Sequence, residues 1–247
     1  MGNERRSRVS RREVLTGLSV GVGVLAGCMS DGESNAGDGG TDPSGTDSPE
    51  CGDTTPRPAS FTPSDQPLTA PVNGDPDAAV TLAVYEDYAC PHCADYNAEG
   101  FPELDSAYVQ PGDIRYEHRD MPIPVADPGS WQAANAARAV QDRQGDEAFW
   151  SYAGAVFEEF QQLGSEPLAL VQSLAADRCY AEDAIRSAAT DRTYDQTVKS
   201  DRQRGIDLGA QATPTFVVND EIVASGFGSD TVDTVSSALD SALSETG

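Results

Sequence analysis

Cys90-Pro91-His92-Cys93 is the stretch of this 247-residue chain whose residue types and spacing could do chemistry. Two cysteines three positions apart can open and close a disulfide if a helix carries them. Their Cα atoms then lie about 5 Å apart, inside the roughly 4.4 to 6.8 Å that a disulfide requires. A helix start also offers backbone N–H groups without carbonyl partners and the positive end of the helix dipole, which together stabilise a thiolate on Cys90. Cys90 is therefore expected to be the acidic, reactive thiol. Pro91 suits the first helical position, where its missing N–H costs nothing and its ring presets φ. His92 can lower the thiol pKa by charge or by hydrogen bonding. Glu86 and Asp87 push the other way, and the helix end is expected to win, because carboxylates several residues off are screened by salt.

Other uses of the pair are weaker. A zinc site needs a second ligand pair, and Cys28, Cys51, Cys179 and His118 are scattered singly. A copper chaperone using Cys90, Cys93 and a histidine has only His92 and His118 to draw on, and His118 reads as a polar residue at a strand end.

The elements that must position the pair follow from hydrophobic pattern. Val80 to Tyr85 is a continuous apolar run, hence a buried strand, and it delivers the cysteines to a helix from Cys93 to about Tyr108. Pro111-Gly112 marks a turn, and Ile114 to Arg119 alternates as a second strand, giving a β-α-β unit with parallel strands. A helical block of about 128–208 follows. Ser130 is expected to cap a helix over Trp131 to Arg143, which Gly145 ends, and Asp146 to cap the next, carrying Phe149, Ala153, Val156, Phe157 and Phe160. Weaker helical patterns cover Leu168 to Ala175, Ala181 to Ala189 and Thr193 to Leu208. Cys179 lies between two of them and reads as a small buried apolar residue, while Cys51 can pair with Cys179, pair with another chain or stay free. Thr215 to Val218 and Glu221 to Ala224 flank Asn219-Asp220 as a hairpin, and Ser229 is expected to cap a final helix with Val232, Val235, Leu239 and Leu243 on its apolar face. The fold class is α/β with a mixed central sheet.

Residues 1–28 read as an address. Ser10-Arg11-Arg12-Glu13-Val14-Leu15 is a twin-arginine pattern, and the apolar run after it is too short and glycine-broken to span a bilayer. It ends at Leu25-Ala26-Gly27-Cys28, which resembles a lipobox, making Cys28 a lipid anchor to the outer face of the membrane. Residues 29–70, rich in Gly, Ser, Asp, Thr and Pro, read as a solvated tether. Residues 71–247 fit one domain. Net charge is −25, and Lys199 is the only lysine. No basic patch can be assembled to neutralise phosphates, so nucleic acid is excluded as a partner. The acid excess resembles proteins of salt-loving archaea, in which concentrated salt screens self-repulsion.

The element order, with Cys90-Pro91-His92-Cys93 between the first strand and helix and Thr213-Pro214-Thr215-Phe216 opening the hairpin, resembles a thioredoxin fold with a helical insertion. It most resembles the DsbA-like thiol-disulfide oxidoreductases, over roughly Pro76 to Leu243. The resemblance implies that Pro214 is cis and faces the cysteine pair, and that Thr213 and Pro214 clamp substrate. It implies catalysis by Cys90 and Cys93 with Pro91 and His92 tuning the thiol, and no cofactor beyond the redox-active disulfide. Exported proteins with free thiols are the implied substrates, and a membrane or quinone-linked partner reoxidises the pair. Run in reverse, the same site is a reductase or isomerase.

Overall fold

The computed structural model describes residues 62–246. The twin-arginine stretch, Cys28, Cys51 and most of the expected tether lie outside them. From Ser64 the chain already lies on the domain. The Ser64 amide donates to the Asp142 carboxylate (3.0 Å) and the Leu68 amide to the Thr197 hydroxyl (3.0 Å), so the packed region starts before residue 71.

A five-stranded sheet has the order β1-β3-β2-β4-β5. Its centre is β2 (Val80–Glu86), parallel to β3 (Ile114–Asp120) and antiparallel to β4 (Thr215–Val218). The edges are β1 (Val72–Gly74), antiparallel to β3, and β5 (Glu221–Ser225), antiparallel to β4. The expected hairpin forms. Asn219 (φ 47°) and Asp220 (φ 67°) both take the left-handed conformation that a two-residue turn matched to strand twist requires.

The helix after the cysteines is not uniform. It comprises α1 (Pro91–Asp95), a π-helical turn (Tyr96–Gly100), α2 (Phe101–Leu104) and a second π-helical turn (Asp105–Val109). The helical block is α3 (Gly129–Gln144), α4 (Asp146–Glu158), a 3₁₀ turn (Phe160–Gly164), α5 (Pro167–Ala176), α6 (Glu182–Asp191) and α7 (Asp195–Leu208), and α8 (Thr231–Thr246) closes the chain.

Three expected caps do not form. Helix α3 starts at Gly129 behind a cis Asp127–Pro128 bond, which leaves Ser130 buried inside its first turn. Gly145 (φ 91°) both ends α3 and starts α4, so Asp146 is the first helical residue and its carboxylate accepts instead from the Val72 amide (2.9 Å). The Ser229 hydroxyl donates to Asp230 (2.8 Å), and α8 begins after that residue.

Alternation along β2 splits the core. Val80, Leu82 and Val84 pack with Tyr96, Leu104, Val235 and Leu239 under the first π-helical turn, α2 and α8. Ala83 and Tyr85 face the other way, toward α7, where Gly205 allows the close approach: a Cβ there would lie 2.8 Å from the Tyr85 ring. The third cluster is the helical block, and Tyr88, Ala89, Cys90 and Cys93 belong to it. The insertion therefore roofs the cysteine pair.

Candidate active site

The apolar run of β2 ends in two acids, and these fix the approach to the cysteines. Asp87 accepts from the Ala89 amide (2.8 Å) through one carboxylate oxygen and from the Ile123 amide (2.8 Å) through the other, while its carbonyl accepts from the Cys90 amide (3.0 Å). Cys90 is thereby set at the N-cap of α1 with extended backbone (φ −81°, ψ 121°), and Pro91 takes the first helical position. The Cys90 carbonyl receives the amides of Cys93 (3.0 Å) and Ala94 (3.1 Å), closing the first turn.

Both sulfurs are buried, Cys90 3% and Cys93 0% exposed, and both are free thiols. Their environments push them apart. A hydrogen bond from the Cys93 thiol, together with the backbone amides of Cys93 and His92, outweighs burial and lowers Cys90 from an ordinary 9.0 to about 5. Burial raises Cys93 well above its ordinary value, and the Cys90 and Glu86 charges add to that. One cysteine is thus a nucleophile-grade thiolate and the other a thiol that holds its proton. His92 is exposed, so its contribution comes through its backbone amide. The Thr213–Pro214 bond is cis, and the Cys90 sulfur lies 3.5 Å from the Thr213 carbonyl oxygen, to which it donates when protonated, which brings together the residues expected to meet.

Several expectations need correction. Glu86 and Asp87 are buried at 2% and 1% exposure, so solvent ions do not screen them. Burial instead raises both, Asp87 to about 6, while the hydrogen bonds each accepts pull the other way, and the Cys90 charge adds to the rise. His118 is no strand-end polar residue. It is fully buried, with Nδ1 3.2 Å from Glu86 and Nε2 3.3 Å from Asp120, so neither ring nitrogen is left for a metal. Cys179 is disulfide-bonded in a left-handed conformation (φ 56°), rather than a small buried apolar residue. Its bonding partner is not among the described residues.

The sequence reading missed the polar chain beneath the cysteines. Asn97, placed by the first π-helical turn, donates to Glu86 (2.7 Å) and to the Cys93 carbonyl (2.9 Å). From Glu86 the chain runs through His118 and Asp120 to Arg138, which is wholly buried and bonded to Asp120 (2.5 Å) and Asp201 (2.6 Å). A signal was present: His118 and Asp120 continue the inward alternation of Ile114 and Tyr116, and Arg138 interrupts an alanine-rich helix face.

A dithiol at a helix start, one thiol acidic and one not, beside a cis-proline loop on a mixed sheet, defines a thiol-disulfide oxidoreductase of thioredoxin fold. A family model described as Thioredoxin matches residues 67–241. The chain is 28% identical over 156 residues to Disulfide bond formation protein D of Bacillus subtilis (strain 168), covering 62% of this chain and 69% of that protein. It is also 30% identical over 177 residues to Na(+)/H(+) antiporter NhaA 1 of Salinispora arenicola, 71% of this chain, but it spans only 25% of that protein's length. Among solved structures, oxidised BdbD from Bacillus subtilis aligns with a TM-score of 0.63 at 25% identity, covering 71% of this chain and 93% of that one. Pseudomonas aeruginosa DsbA2 aligns at 0.57 and 24% identity, covering 72% and 96%, and shares the fold. The chain belongs to the thioredoxin family and is a DsbA-like thiol-disulfide oxidoreductase.

Proposed function

We propose that this chain is an exported disulfide donor that oxidises cysteine pairs in extracytoplasmic proteins. The observation that carries this reading is the depressed pKa of buried Cys90, about 5. A thiolate stabilised at pH 7 stabilises the reduced protein, and a protein whose reduced form is stabilised is a good electron acceptor. The similarity to a disulfide bond formation protein of Bacillus subtilis supports the same direction.

In this reading a substrate thiolate attacks the Cys90 sulfur of the Cys90–Cys93 disulfide and Cys93 leaves, giving a mixed disulfide; a second substrate thiolate attacks the substrate sulfur and releases Cys90 as a thiolate. Cys93 keeps a proton because it is buried. Thr213 and Pro214 hold the substrate chain against Cys90, and Pro91 and the His92 amide shape the helix start. No further cofactor is required, and a membrane or quinone-linked partner reoxidises the pair. Residues 1–28 export the chain by the twin-arginine route, Cys28 carries the lipid that anchors it outside the membrane, and the following tether gives the domain reach. The acidic surface suits concentrated salt, with no nucleic-acid partner.

The test mixes the oxidised protein with a reduced, unfolded protein containing two thiols. Stoichiometric transfer of the disulfide to the substrate, leaving two thiols on this chain, is expected. An unchanged substrate, or rapid reduction of a substrate disulfide by the dithiol form instead, overturns the donor reading in favour of a reductase or isomerase.

A further inference from the structure

His118 is one of only two histidines in the chain, and disulfide exchange by itself gives it no task. Its ring is enclosed by Tyr88 (5.3 Å between centroids), Phe149 (5.4 Å), and the edges of Trp150 and Phe157 (both 6.4 Å), so no water reaches it. The ionisable groups facing it are Glu86 from β2 and Asp120 from β3, with the Tyr88 hydroxyl nearby; Arg138 from α3 reaches it only through Asp120. The Cys90 charge reaches it through Glu86, and Glu86 in turn acts on Cys93.

Hydrogen-bond accounting limits how many protons this unit holds. Each ring nitrogen faces a carboxylate oxygen, so each contact needs one proton, or two lone pairs oppose each other in a dry site. That makes two protons. A third has no seat: the other Glu86 oxygen accepts from the Asn97 amide (2.7 Å), and the other Asp120 oxygen accepts from Arg138 (2.5 Å). The Nε2 proton is held toward Asp120, whose charge Arg138 secures. The proton between Nδ1 and the Glu86 Oε2, 3.2 Å apart, is the one that can sit on either side. It gives an imidazolium–carboxylate pair or a neutral pair, with the same total charge.

A negative charge on Cys90 disfavours a carboxylate at Glu86. Oxidised protein has no such charge; reduced protein does. We propose that His118 is a positioning residue for the redox couple: the proton it shares with Glu86 sits on Nδ1 when the disulfide is closed and moves to Glu86 when the disulfide opens. This inference rests on Cys90–Cys93 being the exchanging pair. The balance is complete without a co-reactant. Two substrate thiols give two electrons to the disulfide and two protons, of which one goes to Cys93 and one to solvent; the shared proton only changes place. The buried site thereby absorbs the thiolate's charge without taking a proton from water. Burial opposes a charged imidazole and the hydrogen bonds of Asp120 and Glu86 overcome it, which favours a proton held there.

The test is ¹⁵N NMR of the histidine rings in the full chain at pH 7, oxidised and reduced, with His92→Gln leaving a single imidazole. The expected result is an imidazolium signature for His118 in the oxidised form and, on reduction, a deprotonated Nδ1 with Nε2 still protonated. The same His118 signature in both redox states overturns the proposal. Glu86→Gln removes the seat for the shared proton, and in it the redox-linked change is expected to vanish while the ring still titrates neither way between states; a change that survives also overturns it. A second readout is the equilibrium constant with glutathione between pH 6 and 8. With one proton taken up per two electrons it changes tenfold per pH unit throughout in the parent protein. His118→Gln leaves Glu86 to exchange its proton with solvent and introduces a stretch in which that dependence flattens. Parallel lines for the two proteins count against the proposal. Absence of any reversible couple in the parent protein instead refutes the exchange reading itself, so the two failures are distinct.

Discussion

Cys90 ties stability to pH in a way that can be measured without any substrate. Its pKa in the folded, reduced protein is about 5 against an ordinary 9.0. A folded-state pKa that lies below the unfolded one gives stability that is complete above the unfolded value and is lost as pH falls through the folded value. At pH 7 the folded thiol is about a hundredfold toward thiolate while the unfolded one is protonated, which at about 1.36 kcal/mol per tenfold is about 2.7 kcal/mol. At pH 5 the group is half ionised and the contribution is about 0.4 kcal/mol. Cys90→Ser removes the ionisation while keeping a small polar side chain. The difference in unfolding free energy between reduced parent and variant, from urea titrations in a phosphine reductant, is therefore expected to shrink by about 2 kcal/mol between pH 7 and pH 5. Titrating groups remote from Cys90 cancel in the difference, while Glu86 and Asp87, which the Cys90 charge raises, modulate its size. A difference that stays flat over that range refutes the argument, whatever the activity of the protein.

Three further outcomes follow from the same contacts. Cys93→Ala removes the hydrogen bond that contributes most to lowering Cys90, so the pH at which Cys90 becomes half reactive toward iodoacetamide is expected to rise, and the variant is expected to retain substrates as mixed disulfides on non-reducing gels. Arg138→Met leaves Asp120 and Asp201 buried without their shared cation and is expected to cost on the order of 3–5 kcal/mol in urea unfolding, with part of the loss recovered at acidic pH as the carboxylates protonate. Gly205→Ala drives a methyl to 2.8 Å from the Tyr85 ring and is expected to cost about 1–3 kcal/mol, while leaving Cys90 alkylation unchanged because the strain lies on the α7 face of the sheet.

What was legible in the sequence was the part written in local pattern. The apolar run of β2, the alternation of β3, the hairpin at Asn219-Asp220 and the two cysteines at a helix start each declare themselves over a few residues, and together they locate the site. Strand β1 escaped because Val72-Asn73-Gly74 carries one apolar side chain and pairs only at an edge. The caps failed because α3 and α4 start behind Pro128 and Gly145, which places Ser130 and Asp146 inside the first turn instead of at the cap position. The polar chain was the largest omission. Glu86, His118, Asp120 and Arg138 come from two strands and a helix, and only the parallel register that sets Val84 against His118 and Glu86 against Asp120 brings them under the cysteines. Taken singly they look like surface charges, and a buried charge betrays itself only through its partners. Cys28, Cys51 and the leader lie outside the described residues, so the export and anchoring readings stand on sequence pattern.

The reduction potential of the Cys90–Cys93 pair, equilibrated against glutathione in concentrated salt at pH 7, tests the central claim most directly. A value above about −180 mV, more oxidising than protein disulfide isomerase, is the result expected of a disulfide donor whose reduced form holds a stabilised thiolate. A value below about −250 mV, in the thioredoxin range, would make the chain a reductase and contradict the proposed direction of electron flow.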